Sequence, residues 1–174
     1  MSSNSLEQPR VSAFCDGGGS NLTGFSAAFV LYTEDGTLLY RYGEKLNAVP
    51  ATFHLLSTSA VHSSNQAEYA SVLLMLSYIL NIRTGISTLD NTYTPLRYNN
   101  LRINVFMDSQ LVINQINRVY KTNDEVLKQL LKNIDYVKEV LESFGTTVRF
   151  YWIPRESNKV ADKLQKDVAN GKII

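Results

Sequence analysis

The sequence predicts a mixed α/β domain with elements in the order βββαβααβα. Three observations predict it. Apolar or alternating runs of strand length recur at 11–16, 25–33, 38–46, 102–107 and 147–153. Segments with helical spacing begin near Ser63, Ser109, Thr122 and Ser157, the first and third behind capping-box patterns. The last two strands are separated by helices, which implies right-handed parallel crossovers beside an initial meander. The expected sheet is therefore five-stranded and mixed, a three-strand antiparallel meander plus two parallel strands, flanked by helices.

Each element follows from its residues. Val11 to Asp16 alternates as a strand and is followed by the Gly17-Gly18-Gly19 stretch, read as a turn, and the polar Ser20–Gly24. Phe25 to Thr33 is continuously apolar, as expected of a strand buried on both faces. Glu34-Asp35-Gly36 signals a turn, so Leu38 to Leu46 should return antiparallel. Segment 47–63 is irregular. Ser63 with Gln66 forms a capping-box pattern ahead of a helix to about Ile82 that is apolar nearly all round, and so should be packed on several sides. Segment 83–100 is a second polar insertion, rich in Thr, Asn and Tyr.

The strand Arg102–Met107 and a short helix from Ser109 to about Val119 come next. Thr122-Asn123-Asp124-Glu125 reads as a capping box that opens the clearest helix. Leu127, Leu130, Ile134, Val137 and Leu141 follow at spacings of three and four, and Gly145 stops it. Thr147 to Ile153 is the fifth strand, ended by Pro154, and Ser157 to about Asn170 is the last helix, closed by Gly171.

Bulk properties set limits. With 174 residues, one domain is expected at 11–174, able to bury about 70% of its unfolded surface, behind a polar tail at 1–10. That tail lacks the apolar core of a secretory signal, and no apolar run reaches the roughly 20 residues of a membrane span. The single cysteine, Cys15, excludes an internal disulfide framework and fits a reducing, cytoplasmic compartment, with nucleus and virion left open. Net charge is +1. Up to residue 100 there are five basic and seven acidic side chains, and beyond it twelve and nine, a weak asymmetry toward a polyanion-facing second half.

The stretch Arg102–Gln110 organises the chain. Its strand ends on Asp108, and a charge there must stay solvated or be paired. Asp16 ends the first strand in the same way. Phe14-Cys15-Asp16 and Phe106-Met107-Asp108 both set an aspartate two residues after a phenylalanine, hence on one strand face. Parallel neighbours would bring both acids to one sheet edge. Glu68 lies in the opening turns of its helix, and Asp162 follows Asn158 by one turn. Four convergent carboxylates would suit magnesium, which takes hard oxygen ligands. Singly each acid has a plainer reading: Asp16 as a turn residue, Glu68 as a solvated acid at a helix N-terminus, Asp162 as a partner of Lys159 or Lys166. His54 and His62 fall in the first insertion, where a loop histidine is ordinarily exposed; His62 is six residues before Glu68.

Taken together, these motifs resemble the ribonuclease H family over about Val11 to Asn170. The match rests on Asp16-Gly17-Gly18, Asn65-Gln66-Ala67-Glu68-Tyr69, Asp108-Ser109-Gln110-Leu111-Val112, and the run from Pro154 to Leu164. The resemblance implies a ribonuclease H-like fold, with Asp16, Glu68, Asp108 and Asp162 as catalytic and metal-binding acids. It implies two Mg²⁺ ions, with Mn²⁺ able to substitute, and hydrolysis of the RNA strand of RNA–DNA hybrids to 5′-phosphate and 3′-hydroxyl ends. It also suggests substrate contacts at Gly17, Gly18, Asn21, Asn65, Gln110, Arg155 and Asn158. A minor-groove role for Asn21, Asn65 and Gln110 fits a groove that displays 2′-hydroxyls.

The chain departs from the family at three places. Ser64 stands where many members have asparagine. The loop Ile153-Pro154-Arg155-Glu156 is shorter than the one that carries a mobile histidine in many bacterial members. The form Pro-Arg-Glu-x-Asn is similar to a branch with archaeal, plant and retroelement domains, and no basic helical protrusion lies near Val119 to Thr122. In place of the histidine, Arg155 is expected to meet the scissile phosphate, or else to be an exposed partner of Glu156 or Glu139.

The other readings are a catalytically silent nucleic-acid-binding or scaffolding module of the same fold, another nuclease of the superfold such as a 3′–5′ exonuclease or a transposase, and a piece of a reverse transcriptase. Four intact acids argue against the first. Gly18, where such exonucleases carry a second acid, argues against the second, and Met1 with a whole domain favours a free-standing protein over the third. A monomer acting on hybrid is expected, with a protein partner for the insertions left open and no membrane partner.

Overall fold

The computed structural model describes residues 8–46, 61–85, 96–97 and 99–172. Strands β1 (Arg10–Ser20), β2 (Gly24–Thr33), β3 (Leu38–Lys45), β4 (Leu101–Met107) and β5 (Thr146–Trp152) form one sheet in the order β3-β2-β1-β4-β5. The helices are α1 (Ser64–Arg83), α2 (Gln110–Ile116), α3 (Glu125–Ser143) and α4 (Lys159–Ala169), with a 3₁₀ turn at Arg155–Ser157. β1 to β3 form the antiparallel meander, and β4 and β5 join parallel to β1, so the expected mixed sheet is the one found.

Hydrophobic burial explains the layering. α1 and α3 pack on one face of the sheet, and α4 packs on the other across β1, β2 and β3. Phe25 to Leu31 is buried throughout because β2 has helices on both sides. α1 buries residues around its whole circumference, since α3 packs against it as well as the sheet. α3 buries a single stripe, Leu127, Leu130, Leu131, Ile134, Val137 and Leu141, and leaves its charged face to solvent.

Register positions the site. Phe14 is paired with Phe106 across β1 and β4, and their rings stack at 5.2 Å. Asp16 and Asp108, each two residues further on, therefore lie on the same face, where the β1–β4 pairing ends.

Three local expectations are corrected. Gly17 to Gly19 is strand, paired with β2 as far as Ser20, and the hairpin turn falls at Asn21–Thr23. Packing dictates glycine here: a Cβ on Gly17 would stand 2.1 Å from the carbonyl oxygen of Ala67 in α1. The cap of α1 is half a box. Ser63 accepts from the Gln66 amide at 3.2 Å, but the Gln66 side chain takes the amide of His62, at 2.7 Å. The cap of α3 is Asp124, which accepts from the Leu127 amide at 3.0 Å; Thr122 instead accepts from the Asp124 amide. Most of both insertions, the tail at 1–7 and His54 lie outside the described residues.

Candidate active site

Four elements meet where β4 ends beside β1. Ligand oxygens of Asp16, Glu68 and Asp108 lie within 4.8 Å of one another. Asp16 is buried in β1, Asp108 follows β4, and Glu68 descends from the first turns of α1. Hydrogen bonds hold two of them. The Gly17 amide donates to Glu68 Oε2 at 3.2 Å, a contact that the close approach of α1 to Gly17 allows. Asn158, at the N-terminus of α4, donates through Nδ2 to the Cys15 carbonyl at 3.0 Å and to Asp108 Oδ1 at 3.2 Å. One buried amide thus ties α4 to both aspartate-bearing strands. Trp152 adds a hydrogen bond from Nε1 to the Asp108 carbonyl at 3.2 Å.

The charges are held in opposition. Burial, then Asp108 and Asp162, push Asp16 up to about 7, while Arg155 pulls it down. Glu68 is raised well above the usual carboxylate range, chiefly by burial and then by Asp16 and Asp108. The Cys15 thiol is also raised, mostly by burial, as suits an inert core cysteine.

Asp162 behaves differently. Burial pushes it up, but hydrogen bonds from Lys166 and Arg155 outweigh that and hold it below its ordinary value. Arg155 Nη2 reaches Oδ1 at 2.9 Å, and Lys166 Nζ reaches Oδ2 at 2.7 Å. The structure thus gathers three of the four expected acids and leaves the fourth beside them, with both its oxygens engaged by cations. Arg155 pairs with Asp162, not with Glu156 or Glu139, and its exposed guanidinium is directed to the acid cluster.

The other expected contacts divide by exposure. Asn21 is exposed in the hairpin turn, Asn65 is half-buried at the start of α1, and Gln110 is exposed at the start of α2. Gly18 lies against Gln165 of α4. Asn158 is 0% exposed, and its side chain holds Asp108 and the Cys15 carbonyl. His62 is exposed and engages Gln66 only through its backbone amide.

Sequence reasoning missed Trp152, and treated Lys166 only as a reason to doubt Asp162. Its four-residue helical spacing from Asp162 was the available signal. It also missed Gln165, whose Nε2 donates to Ser26 at 2.7 Å and anchors α4 on β2. No pattern in a single sequence announces that buried pair.

Strand order, the helix on each face and the acids at the β1–β4 edge define a ribonuclease H-like fold. The resemblance to the ribonuclease H family read from the motifs therefore extends to the architecture. A family model described as reverse transcriptase-like matches residues 96–168. Among solved structures, the chain is similar to the N-terminal ribonuclease H domain of a Mycobacterium tuberculosis protein, with 21% identity and a TM-score of 0.66 over 94% of this chain and 95% of that one. It is similar to ribonuclease H1 of the halophilic archaeon Halobacterium salinarum, with 22% identity and a TM-score of 0.65 over 93% and 98%. It is also similar to a compost-derived ribonuclease H1 in complex with an RNA/DNA hybrid, with 21% identity and a TM-score of 0.65 over 92% and 97%. No described helix is long and apolar enough to cross a membrane.

Proposed function

We propose that this protein is a metal-dependent endonuclease that hydrolyses the RNA strand of RNA–DNA hybrids, leaving 5′-phosphate and 3′-hydroxyl ends. The convergence of Asp16, Glu68 and Asp108 within 4.8 Å carries the reading. Three carboxylates so close, two of them raised by burial and mutual repulsion, are an unfavourable arrangement unless a cation joins them. An all-oxygen donor set suits Mg²⁺, or Mn²⁺ in its place. The similarity to a ribonuclease H1 bound to an RNA/DNA hybrid supports the choice of substrate.

Asp16, Glu68 and Asp108 would hold the metal, and Asp162 would join them for a second ion once released from Lys166 and Arg155. Bound Mg²⁺ supplies positive charge to the scissile phosphate and lowers the pKa of water. The protein's own groups supply position. Asn158 and the Gly17 amide fix Asp108 and Glu68, so the acids need not reorganise as charge develops. Arg155, exposed beside the cluster, can exchange Asp162 for a phosphate oxygen and grip it with two N–H groups. Asn21, Asn65 and Gln110, with the backbone at Gly17 and Gly18, would read the minor groove of the hybrid.

The test is incubation with Mg²⁺ and end-labelled hybrid, duplex RNA and duplex DNA. Cleavage confined to the RNA of the hybrid is expected, and Asp108→Asn should abolish it. That variant can still accept the Asn158 hydrogen bond through its amide oxygen, so its metal-free melting temperature should equal or exceed the wild-type value. Near wild-type turnover in folded Asp108→Asn would overturn the assignment.

A further inference from the structure

Among the described residues, helix α4 leaves the β4–β5 half of its sheet face without a helix packed along it, and the residues there are ordered in rows. Register sets Arg102 beside Thr147, Ser12 beside Asn104 and Arg149, and Phe14 beside Phe106 and Tyr151. The row beyond holds Asp16 and Asp108. Alternation puts all of these on the face opposite α1, because Gly17 meets α1 and Gly18 meets α4. The aromatic row is continuous. Phe14 stacks on Phe106 at 5.2 Å and Phe106 on Tyr151 at 5.6 Å, which leaves the outer side of the Tyr151 ring open on the edge strand. Tyr151 is 43% exposed.

We propose that this face docks a single-stranded nucleic-acid extension of the substrate, running from the acid cluster across Tyr151 to Arg149 and Arg102. The inference rests on the hybrid-nuclease reading and adds a class of substrate to it, hybrids with a single-stranded flank. Three observations choose the occupant. The face is continuous with the acids where a strand would be cut. Its charged side chains below the aromatic row are arginines, and the ion pairs among the described residues engage neither Arg102 nor Arg149. An exposed aromatic face next to a guanidinium is the arrangement that holds unpaired bases and their phosphates. The distance suits it as well: from Asp108 back to Arg102 is six strand residues, about 20 Å.

The test uses anisotropy of labelled nucleic acid with Asp108→Asn protein in Mg²⁺, a background in which the hybrid stays whole. Blunt hybrid is compared with hybrids carrying an extension of about six nucleotides on either end of either strand, the RNA and DNA arms separating the two sources of the same chemistry. At least one extension should tighten binding about fivefold or more. Arg149→Ala and Tyr151→Ala should each bring the extended-to-blunt ratio toward one. Arg149 is exposed, so its variant tests the idea even if Tyr151→Ala folds poorly. No gain from any extension, a gain that persists in Arg149→Ala, or self-association through this face would overturn the proposal. Failure of the blunt hybrid to bind would instead sink the hybrid reading, and short single-stranded RNA and DNA probes would still report on the face.

Discussion

At the residue scale, the site is an electrostatic conflict held in place by neutral hydrogen bonds. Asp16 ionises near 3.8 in an unfolded chain and at about 7 in the metal-free fold. The folded state therefore keeps a proton that the unfolded state has lost across that interval. Its stabilising contribution is full below about pH 4 and is lost as pH rises through 7, up to roughly 4 kcal/mol for this group. Glu68 shifts in the same direction. Asp162, held low, acts oppositely and loses its contribution as pH falls below its ordinary value. Metal-free protein should accordingly melt at a higher temperature at pH 5 than at pH 8, and Asp16→Asn should flatten that slope; a steeper loss at pH 5 would contradict it. Arg155 balances the cluster from outside. Arg155→Ala should slow turnover about tenfold, below the range for a buried donor, and Arg155→Lys should recover part of it. Equal rates for all three proteins would make Arg155 an ordinary surface charge.

At the scale of elements, the site depends on how closely α1 approaches β1. Gly17→Ala forces a Cβ to within 2.1 Å of the Ala67 carbonyl, and backbone cannot give way as a flexible side chain can. The start of α1, which carries Glu68, must shift. We expect a loss of about 1–3 kcal/mol by urea titration together with weakened metal binding. Unchanged stability would mean that α1 is less firmly seated than the contact implies. Asp124→Ala, removing the cap of α3, should cost about 1 kcal/mol and leave metal binding alone, because α3 lies behind α1 and away from the acids.

At the scale of the molecule, charge and distance set the grip on substrate. Net charge is only +1, so few phosphates can be neutralised. Hybrid affinity should fall with salt as for roughly two to four phosphate contacts. A slope near ten would point to a basic surface not identified. α1 has 20 residues and is about 30 Å long, which places Arg83 far from Glu68. Arg83 is held at that far end by the carbonyls of Leu96 and Phe144. Deleting part of 86–95 should therefore leave cleavage and its salt slope unchanged, whereas deleting within 47–60, just ahead of the Glu68 end of α1, should alter one or both. Loss of hybrid binding in a folded 86–95 deletion would show that the far side takes part.

What the sequence determined by itself was local and periodic. Alternation in Phe14-Cys15-Asp16 and Phe106-Met107-Asp108 set both aspartates on one face, and apolar spacing set the inner side of α3. These depend on neighbours a few residues apart. Tertiary structure alone decided what depends on groups brought together from a distance. The glycines of β1 looked like a turn because glycine permits one; the packing of α1 made them strand. The amide of Asn158 reaches Cys15 and Asp108, distant in sequence. Asp162 carried both its readings until the fold set Arg155 on one oxygen and Lys166 on the other. Helical spacing had offered Lys166, but only the loop's path after β5 could bring Arg155 there. A carboxylate goes to whichever cation or metal the fold places within reach, and that placement is not written in the residues beside it.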